Sequence, residues 1–541
     1  MEMAPGVLTG LLLTASFPKI GAAPLAWVAL VPLLLSIRGA SPGKSFRLGF
    51  GAGLAHFLSL LYWLVYTMNV YGNIPTPLAI SIFFLLAAYL SFYIGVFSML
   101  VSRLCQTVWS AFFLIPTFWV AIEYARFFIF PGFPWEFLGY SQYKVLSVIQ
   151  IADTLGVYGV SFWIVLGNAL LFSGVLFFRK NRVAPKPVAR KKSSGASLRE
   201  TSPALRHMAG AAVVFFLLSA ALLAYGKWRV ISVDKEMASG VWKTIAVIQG
   251  NIDQKTKWDP KFRDGIIDKY IDLSVSVKKS SPDLLIWPET AVPFYFLQER
   301  SPTIKVLNAL KETGGDYIIG TPRIQRREKG AAYFNSAFLV SGSGTVLGRY
   351  DKSRLVPYGE YIPFKKFMPF IGKIVAQAGD FVPGEKGKTM AWGDFQLGIQ
   401  ICYEIIFPDL SRAMVQNNAA LLANITNDAW FGYRAAAYQH FSMATLRAVE
   451  NRRSVVRAAN TGISGFIDPV GRTLEKTALF TEAALARKMP LLDKKTFYTR
   501  NGDVFALICV GVALFFVLLK MLRQAINGLT IKRQKKNYKR K

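Results

Sequence analysis

Eight long apolar runs constrain the fold of this chain more than any other feature of its sequence. They occupy residues 5–18, 22–37, 48–68, 76–102, 107–125, 154–178, 209–227 and 503–522. A helix needs about 20 predominantly apolar residues to cross a bilayer, and most of these runs are long enough. The first two are short, so they form either two spans or a tight hairpin. The pattern predicts a polytopic α-helical membrane domain with about eight spans.

Basic residues between the runs predict how the spans are oriented. The chain carries 64 Lys and Arg against 32 Asp and Glu, a formal net charge of +32. The surplus lies after the second and fourth runs, in residues 179–208, and in the tail after the last run. Cytoplasmic loops of membrane proteins carry excess Lys and Arg, and eight alternating spans place all four segments in the cytoplasm. This agreement argues against the alternative, that a basic tail binds nucleic acid.

Residues 228–502 differ in texture from the apolar runs. Short β-rich stretches such as TIAVIQG, DLLIWPE and LGIQICYE alternate with polar, helix-like segments, which indicates a layered α/β domain. On the orientation above, this domain lies outside the cytoplasm. The predicted organisation is seven spans in residues 1–227 with a basic cytoplasmic loop at 179–208, an extracytoplasmic domain at 228–502, and a final span with a basic tail at 503–541.

An aromatic segment between the fifth and sixth runs is predicted to face the same side as this domain. It starts at Arg126 and reads RFFIFPGFPWEFLGYSQYKVL. Aromatic side chains favour the membrane interface, so one interpretation is an interfacial anchor. The other is a lip at which lipid enters beneath the outer domain.

Two residues, Glu289 and Cys402, stand where a side chain could reach a cleft, and a third, Lys352, would by itself be an ordinary surface charge. Glu289 follows an apolar strand in LLIWPET, Lys352 lies in GRYDKSRLVPYGEYIP, and Cys402 ends an apolar strand in GIQICYEIIFPDL. A thiolate nucleophile needs a base to remove its proton and a cation to stabilise it. Each residue alone is weak evidence for an active site, but the three in this order and sequence context are much stronger evidence for one.

The other cysteines and the histidines do not indicate a metal site. Cys105 lies between two adjacent apolar runs and Cys509 lies in the last run, and in such surroundings a thiol is usually an inert core group. The three histidines are scattered and the sequence has no CxxC pair, so neither a zinc site nor a disulfide framework is expected. We expect no metal and no cofactor.

These motifs resemble the nitrilase superfamily, and with the apolar runs they resemble its membrane-anchored branch, the apolipoprotein N-acyltransferase family. The resemblance covers nearly the whole chain and includes PLAWVALVPLL, GFPWEFLGYSQ, QGNI, NDAWFG, QHFSMATLRAVENRR and RAANTGISGFIDPVG. One departure is YRAAAYQH after NDAWFG, where the family usually has a short polar stretch with Gly and Pro. The superfamily implies a four-layer αββα sandwich with a Glu–Lys–Cys triad.

Carried over residue by residue, the resemblance implies Cys402 as the acyl-accepting nucleophile, Glu289 as the general base and Lys352 as the oxyanion stabiliser. It implies supporting or substrate-binding roles for Glu360, Tyr403, Glu404, Trp258, Trp430 and Phe431. His440 is interpreted as structural, because such a triad does not require an imidazole.

The reaction implied by the resemblance moves an acyl chain from the sn-1 position of a phospholipid, through a Cys402 thioester, to the N-terminal amine of the S-diacylglyceryl-cysteine of apolipoproteins. The expected partners are the phospholipid donor, the apolipoprotein acceptor and the membrane, with no nucleic acid. The expected location is the bacterial inner membrane, with the catalytic domain on the periplasmic side.

Three alternatives remain at this point. The first is a membrane-tethered nitrilase-like amidase that uses water, and the second is a non-catalytic protein that binds lipid or lipoprotein. The third is a transporter with the outer domain as its receptor. The spans hold few charges, chiefly Glu123 and Arg126, which we expect to pair with each other, and a transport path normally shows more.

Overall fold

The computed structural model describes residues 2–129, 132–183, 203–328, 330–361 and 381–538. Most of the predicted basic loop and the end of the basic tail lie outside the described residues. The helices are α1 (Ala4–Ala15), α2 (Val31–Ile37), α3 (Pro42–Leu60), α4 (Trp63–Tyr66), α5 (Thr76–Leu104), α6 (Val108–Phe128), α7 (Leu146–Ile149), α8 (Ala152–Val183), α9 (Pro203–Ala238), α10 (Arg263–Ser276), α11 (Arg300–Thr313), α12 (Pro408–Gln416), α13 (Ala435–Asn451), α14 (Phe497–Asn501) and α15 (Val504–Tyr538).

The strands all lie between α9 and α14. They are β1 (Val241–Gln249), β2 (Leu284–Ile286), β3 (Asp316–Arg327), β4 (Gly330–Val340), β5 (Val346–Asp351), β6 (Thr389–Trp392), β7 (Phe395–Ile401), β8 (Ala419–Thr426), β9 (Ser454–Ala459), β10 (Gly465–Ile467), β11 (Thr473–Lys476) and β12 (Ala483–Leu491).

Every predicted apolar run is helical in the structure. Within the described residues, five helices are long and apolar enough to cross a membrane, namely Thr76–Leu104, Val108–Phe128, Ala152–Arg179, Leu205–Ala238 and Val504–Thr530. A bent pair, Pro42–Leu60 and Trp63–Tyr71, forms a sixth candidate with an angle of 51° between its parts. The first two runs form shorter apolar helices, Ala4–Ala15 and Ala23–Ile37.

Small residues let α3 and α5 pack closely. Gly49 and Gly53, one helical turn apart on α3, face Ser98 and Ser91 on α5, and a Cβ at either glycine would collide with the facing serine. Small residues four apart allow this close backbone approach between membrane helices. The sequence stretch LGFGAGLAH therefore specifies a helix contact as well as a span.

The extramembrane domain contains two six-stranded sheets. Their strand orders are β12-β1-β2-β3-β4-β5 and β11-β10-β9-β8-β7-β6. In the first sheet, alternate residues face opposite sides, as a strand period of two requires. Ile245 and Val247 belong to the core between the sheets, whereas Ala246 and Ile248 pack with α10 and α11. The predicted sandwich with helices outside its sheets is confirmed.

Helix α13 connects the sandwich to the membrane helices. All of its residues except Tyr438 are buried, which a helix on a protein surface does not show. The Gln439 amide donates to the carbonyl oxygens of Pro18 and Leu60, and the Arg447 guanidinium donates to the Tyr140 hydroxyl at 2.8 Å. The sandwich and the helical bundle therefore share one continuous packed interface.

The prediction that Glu123 and Arg126 form an ion pair with each other is wrong. Both residues lie in the part of the chain that the structure describes, and no side-chain nitrogen of Arg126 comes within 4 Å of a carboxylate oxygen of Glu123. Glu123 Oε1 accepts from the Leu138 N–H at 2.7 Å, and Arg126 Nη2 donates to the Trp135 carbonyl at 3.2 Å. Each charge instead holds the aromatic segment, because that segment brings buried backbone polar groups which need partners.

Candidate active site

Each proposed triad residue stands just beyond the end of a strand. Glu289 is three residues after β2, Lys352 directly follows β5, and Cys402 directly follows β7. Since β2 and β5 belong to one sheet and β7 to the other, the three side chains come from both layers of the sandwich. All three line one cavity.

The Glu289 carboxylate is held by two donors. Asn335 Nδ2 donates to its Oε1 at 2.7 Å, and the Asn427 backbone N–H donates to its Oε2 at 2.9 Å. Lys352 Nζ lies 3.7 Å from the same Oε1. These contacts keep the carboxylate aimed into the cavity, where a general base must be.

Lys352 lies between two carboxylates. Its Nζ donates to Glu360 Oε1 at 2.9 Å, and Glu360 is itself fixed by Asn335 Nδ2 at 3.0 Å and by the Val356 N–H at 2.9 Å. Burial alone would lower the pKa of Lys352, but the negative charges of Glu360 and Glu289 outweigh it and raise the pKa. Lys352 is therefore a permanent cation in the cavity.

Cys402 occupies a strained turn. Its φ is +53°, in the left-handed region, which costs a non-glycine residue roughly 1–3 kcal/mol and persists only where the surroundings enforce it. His440 Nε2 lies 3.1 Å from the Cys402 carbonyl oxygen, and Asn424 Nδ2 donates to that oxygen at 3.4 Å. Burial, followed by the charge of Glu289, raises the pKa of the thiol to about 12. The resting site thus holds a thiol beside a carboxylate.

His440 contacts the backbone of Cys402. Burial and the charge of Arg457 lower the pKa of its imidazole, so it is neutral. Its Nδ1 lies 2.9 Å from Arg457 Nη2, which also donates to Asp428 Oδ2 at 2.8 Å. When the neutral ring carries its proton on Nε2, that N–H donates to the Cys402 carbonyl and Nδ1 accepts from Arg457, while Nδ1 also lies 3.1 Å from Asp428 Oδ1.

Glu404 is completely buried and does not line the cavity. Its Oε2 accepts from the Ile401 N–H at 2.7 Å, while its Oε1 accepts from the N–H groups of Ser353 and Arg354 at 2.7 and 3.0 Å. The hydroxyls of Ser353 and Tyr350 donate to the same Oε1 at 2.8 Å. Glu404 therefore ties the turn that carries Cys402 to the segment that carries Lys352.

The cavity has a volume of about 690 Å³ and two chemically different walls. One wall carries the polar triad. The other is apolar and comes from the membrane-domain side, including Met68, Phe83 and Leu86. A pocket of this kind, with a few convergent polar groups on an apolar lining, suits a ligand with a long apolar part.

Aromatic side chains surround the cavity. Trp258, Tyr403, Trp430 and Phe431 all line it, together with Phe133 and Trp135 from the aromatic segment. The Phe431 ring centroid lies 4.9 Å from that of Trp63 and 6.2 Å from that of Trp135. Loop 428–431 is held from the membrane side, because Thr67 donates to the Trp430 carbonyl at 2.8 Å and Tyr71 donates to the Ala429 carbonyl at 2.9 Å.

Among the residues that the structure describes, no cluster of three or more His, Cys, Asp or Glu side chains could hold a metal ion. Four polar side chains of the cavity instead contact one another, namely Glu289, Asn335, Lys352 and Glu360. What they can do together is remove a proton from a thiol and stabilise a negative charge that develops beside Lys352.

Comparison with known proteins identifies the family. Residues 9–170 match the family model of the apolipoprotein N-acyltransferase N-terminal domain, and residues 244–491 match that of carbon-nitrogen hydrolases. The chain is 42% identical over 522 residues to the apolipoprotein N-acyltransferase of Geobacter metallireducens, covering 96% of this chain and 95% of that protein. The chain belongs to the apolipoprotein N-acyltransferase family.

A second relative matches over the same extent of the chain. The apolipoprotein N-acyltransferase of Chlorobaculum tepidum is 30% identical over 548 residues and covers 96% of both chains. Among solved structures, an amidase of the nitrilase superfamily from Nesterenkonia AN1 matches 48% of this chain and 93% of its own, with a TM-score of 0.35 and 21% identity. The family assignment does not depend on that structure.

For this member of the apolipoprotein N-acyltransferase family, the structure brings most of the predicted site residues into one cavity. Of the nine predicted side chains, eight line the cavity and Glu404 lies behind it. Sequence reasoning missed Asn335, Asn427 and Lys257. Asn427 stands in the quoted NDAWFG motif, which could have drawn attention to it, whereas Asn335 carries no signal beyond being a polar residue in an apolar strand.

Proposed function

We propose that this chain transfers an acyl chain from the sn-1 position of a phospholipid, through a thioester on Cys402, to the N-terminal amine of the S-diacylglyceryl-cysteine of apolipoproteins. The observation that carries the proposal is the cavity in which Glu289, Lys352 and Cys402 meet an apolar wall made by the membrane helices. The near full-length similarity to enzymes named apolipoprotein N-acyltransferase supports it.

In the first half-reaction, Glu289 takes the Cys402 proton while the sulfur attacks the ester carbonyl carbon. Negative charge develops on the carbonyl oxygen, and Lys352 stabilises it together with the Tyr403 backbone N–H. Tyr403 lies in the first turn of a short 3-10 helix, Cys402–Ile406, where an N–H has no acceptor within the helix. The carbon–oxygen bond then breaks, and the glycerol oxygen takes the proton from Glu289 as the lysophospholipid leaves.

In the second half-reaction, the neutral α-amine of the acceptor attacks the thioester carbon. Glu289, again a carboxylate, accepts a proton from the attacking nitrogen, and Lys352 stabilises the second oxyanion. When the carbon–sulfur bond breaks, Cys402 regains the proton. The products are an amide on the lipoprotein and the free enzyme, so the kinetics are ping-pong.

A membrane-embedded site has a physical purpose in this reaction. Lifting acyl chains into water costs about 0.8 kcal/mol for each CH₂ group, which no single contact could offset. A cavity walled by membrane helices lets the ester carbonyl reach Cys402 while its chain stays in an apolar environment. Water must also be kept from the thioester, and we assign this role to Trp430 and Phe431.

We also propose the arrangement in the cell. Residues 1–227 and 503–541 form the membrane part, residues 228–502 form the catalytic domain, and that domain lies on the periplasmic side of the bacterial inner membrane. The supporting argument is the excess of basic residues in the loops assigned to the cytoplasm. Cysteine accessibility to an impermeant reagent, measured at single cysteines introduced on each side, tests this orientation.

Intact-mass spectrometry of the purified full chain tests the reaction. After incubation with phospholipid, the wild type is expected to gain the mass of one acyl chain, and the Cys402→Ala variant is expected to gain none. A peptide with an N-terminal diacylglyceryl-cysteine should discharge the adduct and become N-acylated. An adduct that decays equally fast without the peptide indicates a hydrolase, and no adduct in folded protein indicates a lipid-binding protein.

A further inference from the structure

Lys257 is a buried cation of the cavity that takes no part in the reaction steps proposed for Glu289, Lys352 and Cys402. It is 1% exposed and lines the cavity beside Glu289. Its Nζ donates to the Glu289 backbone carbonyl at 3.1 Å. Within the described part of the chain, no carboxylate lies within 4 Å of this ammonium group, so Lys257 is not half of an ordinary ion pair.

A buried ammonium group without a carboxylate partner is costly, because burial disfavours the charged form. Burial lowers the pKa of Lys257 to about 8, although the charge of Glu289 opposes that effect. At pH 7 the group is still mostly protonated. The protein therefore retains a destabilising charge at the base of the proposed triad, where an apolar side chain would pack at lower cost.

The cavity contains more buried negative charge than Lys352 alone can balance. Glu289 and Glu360 are two carboxylates that share one ammonium group, Lys352, and one amide donor, Asn335. Arg323 also lines the cavity, but its guanidinium is paired with Asp351 at 3.1 and 3.0 Å. Without Lys257, these two buried carboxylates would share a single ammonium group, and the Glu289 backbone carbonyl would lose its side-chain donor.

We propose that Lys257 is a positioning residue for the acyl transfer: its ammonium group holds the Glu289 backbone and balances the second carboxylate, so that the Glu289 side chain stays aimed at Cys402. This inference rests on the proposed function. Lys257 acts through Glu289 and does not touch the reacting atoms.

The test compares Lys257→Met and Lys257→Arg with a matched control, Lys255→Met, in the full-length protein. Lys255 is exposed and lies two residues away in the same segment. Two quantities are measured for each variant, the rate constant for acyl-enzyme formation by quenched intact-mass spectrometry over a range of phospholipid concentrations, and the midpoint of thermal unfolding.

For Lys257→Met we expect acylation to slow by roughly 10- to 100-fold, the size of effect that a misplaced catalytic group produces, with the half-saturating lipid concentration unchanged. The unfolding midpoint should stay close to that of the wild type, because removing a buried ammonium group and losing its attraction to the buried carboxylates have opposite effects on stability. Lys257→Arg should keep more activity than Lys257→Met, and Lys255→Met should behave as the wild type. A purely structural lysine would show a lower midpoint together with the lower rate.

Two results would overturn the inference. One is acylation of Lys257→Met within about twofold of the wild type, and the other is equal loss in the Met and Arg variants, since charge would then be irrelevant. If Lys257→Met does not fold, Lys257→Gln provides the neutral side chain instead. A wild type that acylates independently of Cys402 refutes the proposed function, whereas Cys402-dependent acylation that ignores Lys257 refutes this inference alone.

Discussion

Replacing Glu404 by Gln tests whether a buried carboxylate sets the spacing between the proposed nucleophile and the proposed oxyanion cation. Glu404 accepts four hydrogen bonds on Oε1, from Tyr350, Ser353 and Arg354, and one on Oε2 from the Ile401 N–H. All five contacts are donors to the carboxylate. Burial raises the pKa of this carboxyl, although the Ile401 N–H and the charge of Lys352 oppose the effect.

The size of the effect follows from these contacts. A glutamine keeps one acceptor oxygen, which best serves the four donors, so its NH₂ group then faces the Ile401 N–H. A buried donor without an acceptor costs about 1–3 kcal/mol, and the remaining bonds lose the strength that a charged acceptor gives them. We expect a total loss of about 2–4 kcal/mol. At about 2–4 °C per kcal/mol for a domain of this size, the unfolding midpoint should fall by about 4–16 °C.

The assay is thermal unfolding in detergent at a fixed heating rate, followed by the rate of acyl-enzyme formation at a temperature where the variant is folded. We expect acylation to fall by roughly 10- to 100-fold, because the turn that carries Cys402 is no longer tied to the segment that carries Lys352. Glu312→Gln, an exposed glutamate on α11, is the control. A midpoint within about 1 °C of the wild type, with normal acylation, would refute the reasoning.

Three further predictions address the thiol, the cavity wall and the domain interface. Burial and then the Glu289 charge raise the pKa of Cys402, so Glu289→Gln should make Cys402 react faster with iodoacetamide at pH 9, as measured by peptide mass. The same variant should slow acylation by roughly 10²–10⁴-fold, because the proposed general base is lost. Slower alkylation than in the wild type contradicts this reasoning. Phe431→Ala should shorten the acyl-enzyme lifetime without acceptor, and an unchanged lifetime contradicts its assignment as a water barrier. The buried Arg452 guanidinium lies 2.8 Å from the Asp153 carboxylate, so Asp153→Asn leaves that positive charge uncompensated. The free energy of unfolding should fall by about 3–5 kcal/mol, and an unchanged unfolding midpoint contradicts this.

The elements that could be predicted from the sequence are those with a strong local signal. The apolar runs are long, and the alternation in β1 places Ile245 and Ile248 on opposite faces of the sheet. The triad was predicted from a resemblance in the order and context of three short motifs. Each of these signals lies within a few neighbouring residues, so none depends on knowing which segments meet in the fold.

The residues that could not be predicted owe their roles to contacts between distant segments. Asn335 lies in the middle of β4, and only strand pairing brings its amide between Glu289 and Glu360. From the sequence, Lys257 would be predicted to be a surface lysine. It lies in the same polar segment as Lys255, which is exposed. Nothing in the local sequence distinguishes a lysine that a later loop will cover from one that stays in water.

Helix α13 shows the same limit at a larger scale and explains why the catalytic domain needs its membrane part. Its sequence, AAAYQHFSMATLRAVEN, contains enough polar residues to indicate an amphipathic surface helix, yet every residue except Tyr438 is buried. Thr67 and Tyr71, on the membrane side, hold the loop that carries Trp430. Because the bundle supplies one wall of the cavity and fixes the opposite rim, its helices form part of the proposed active site as well as anchoring it.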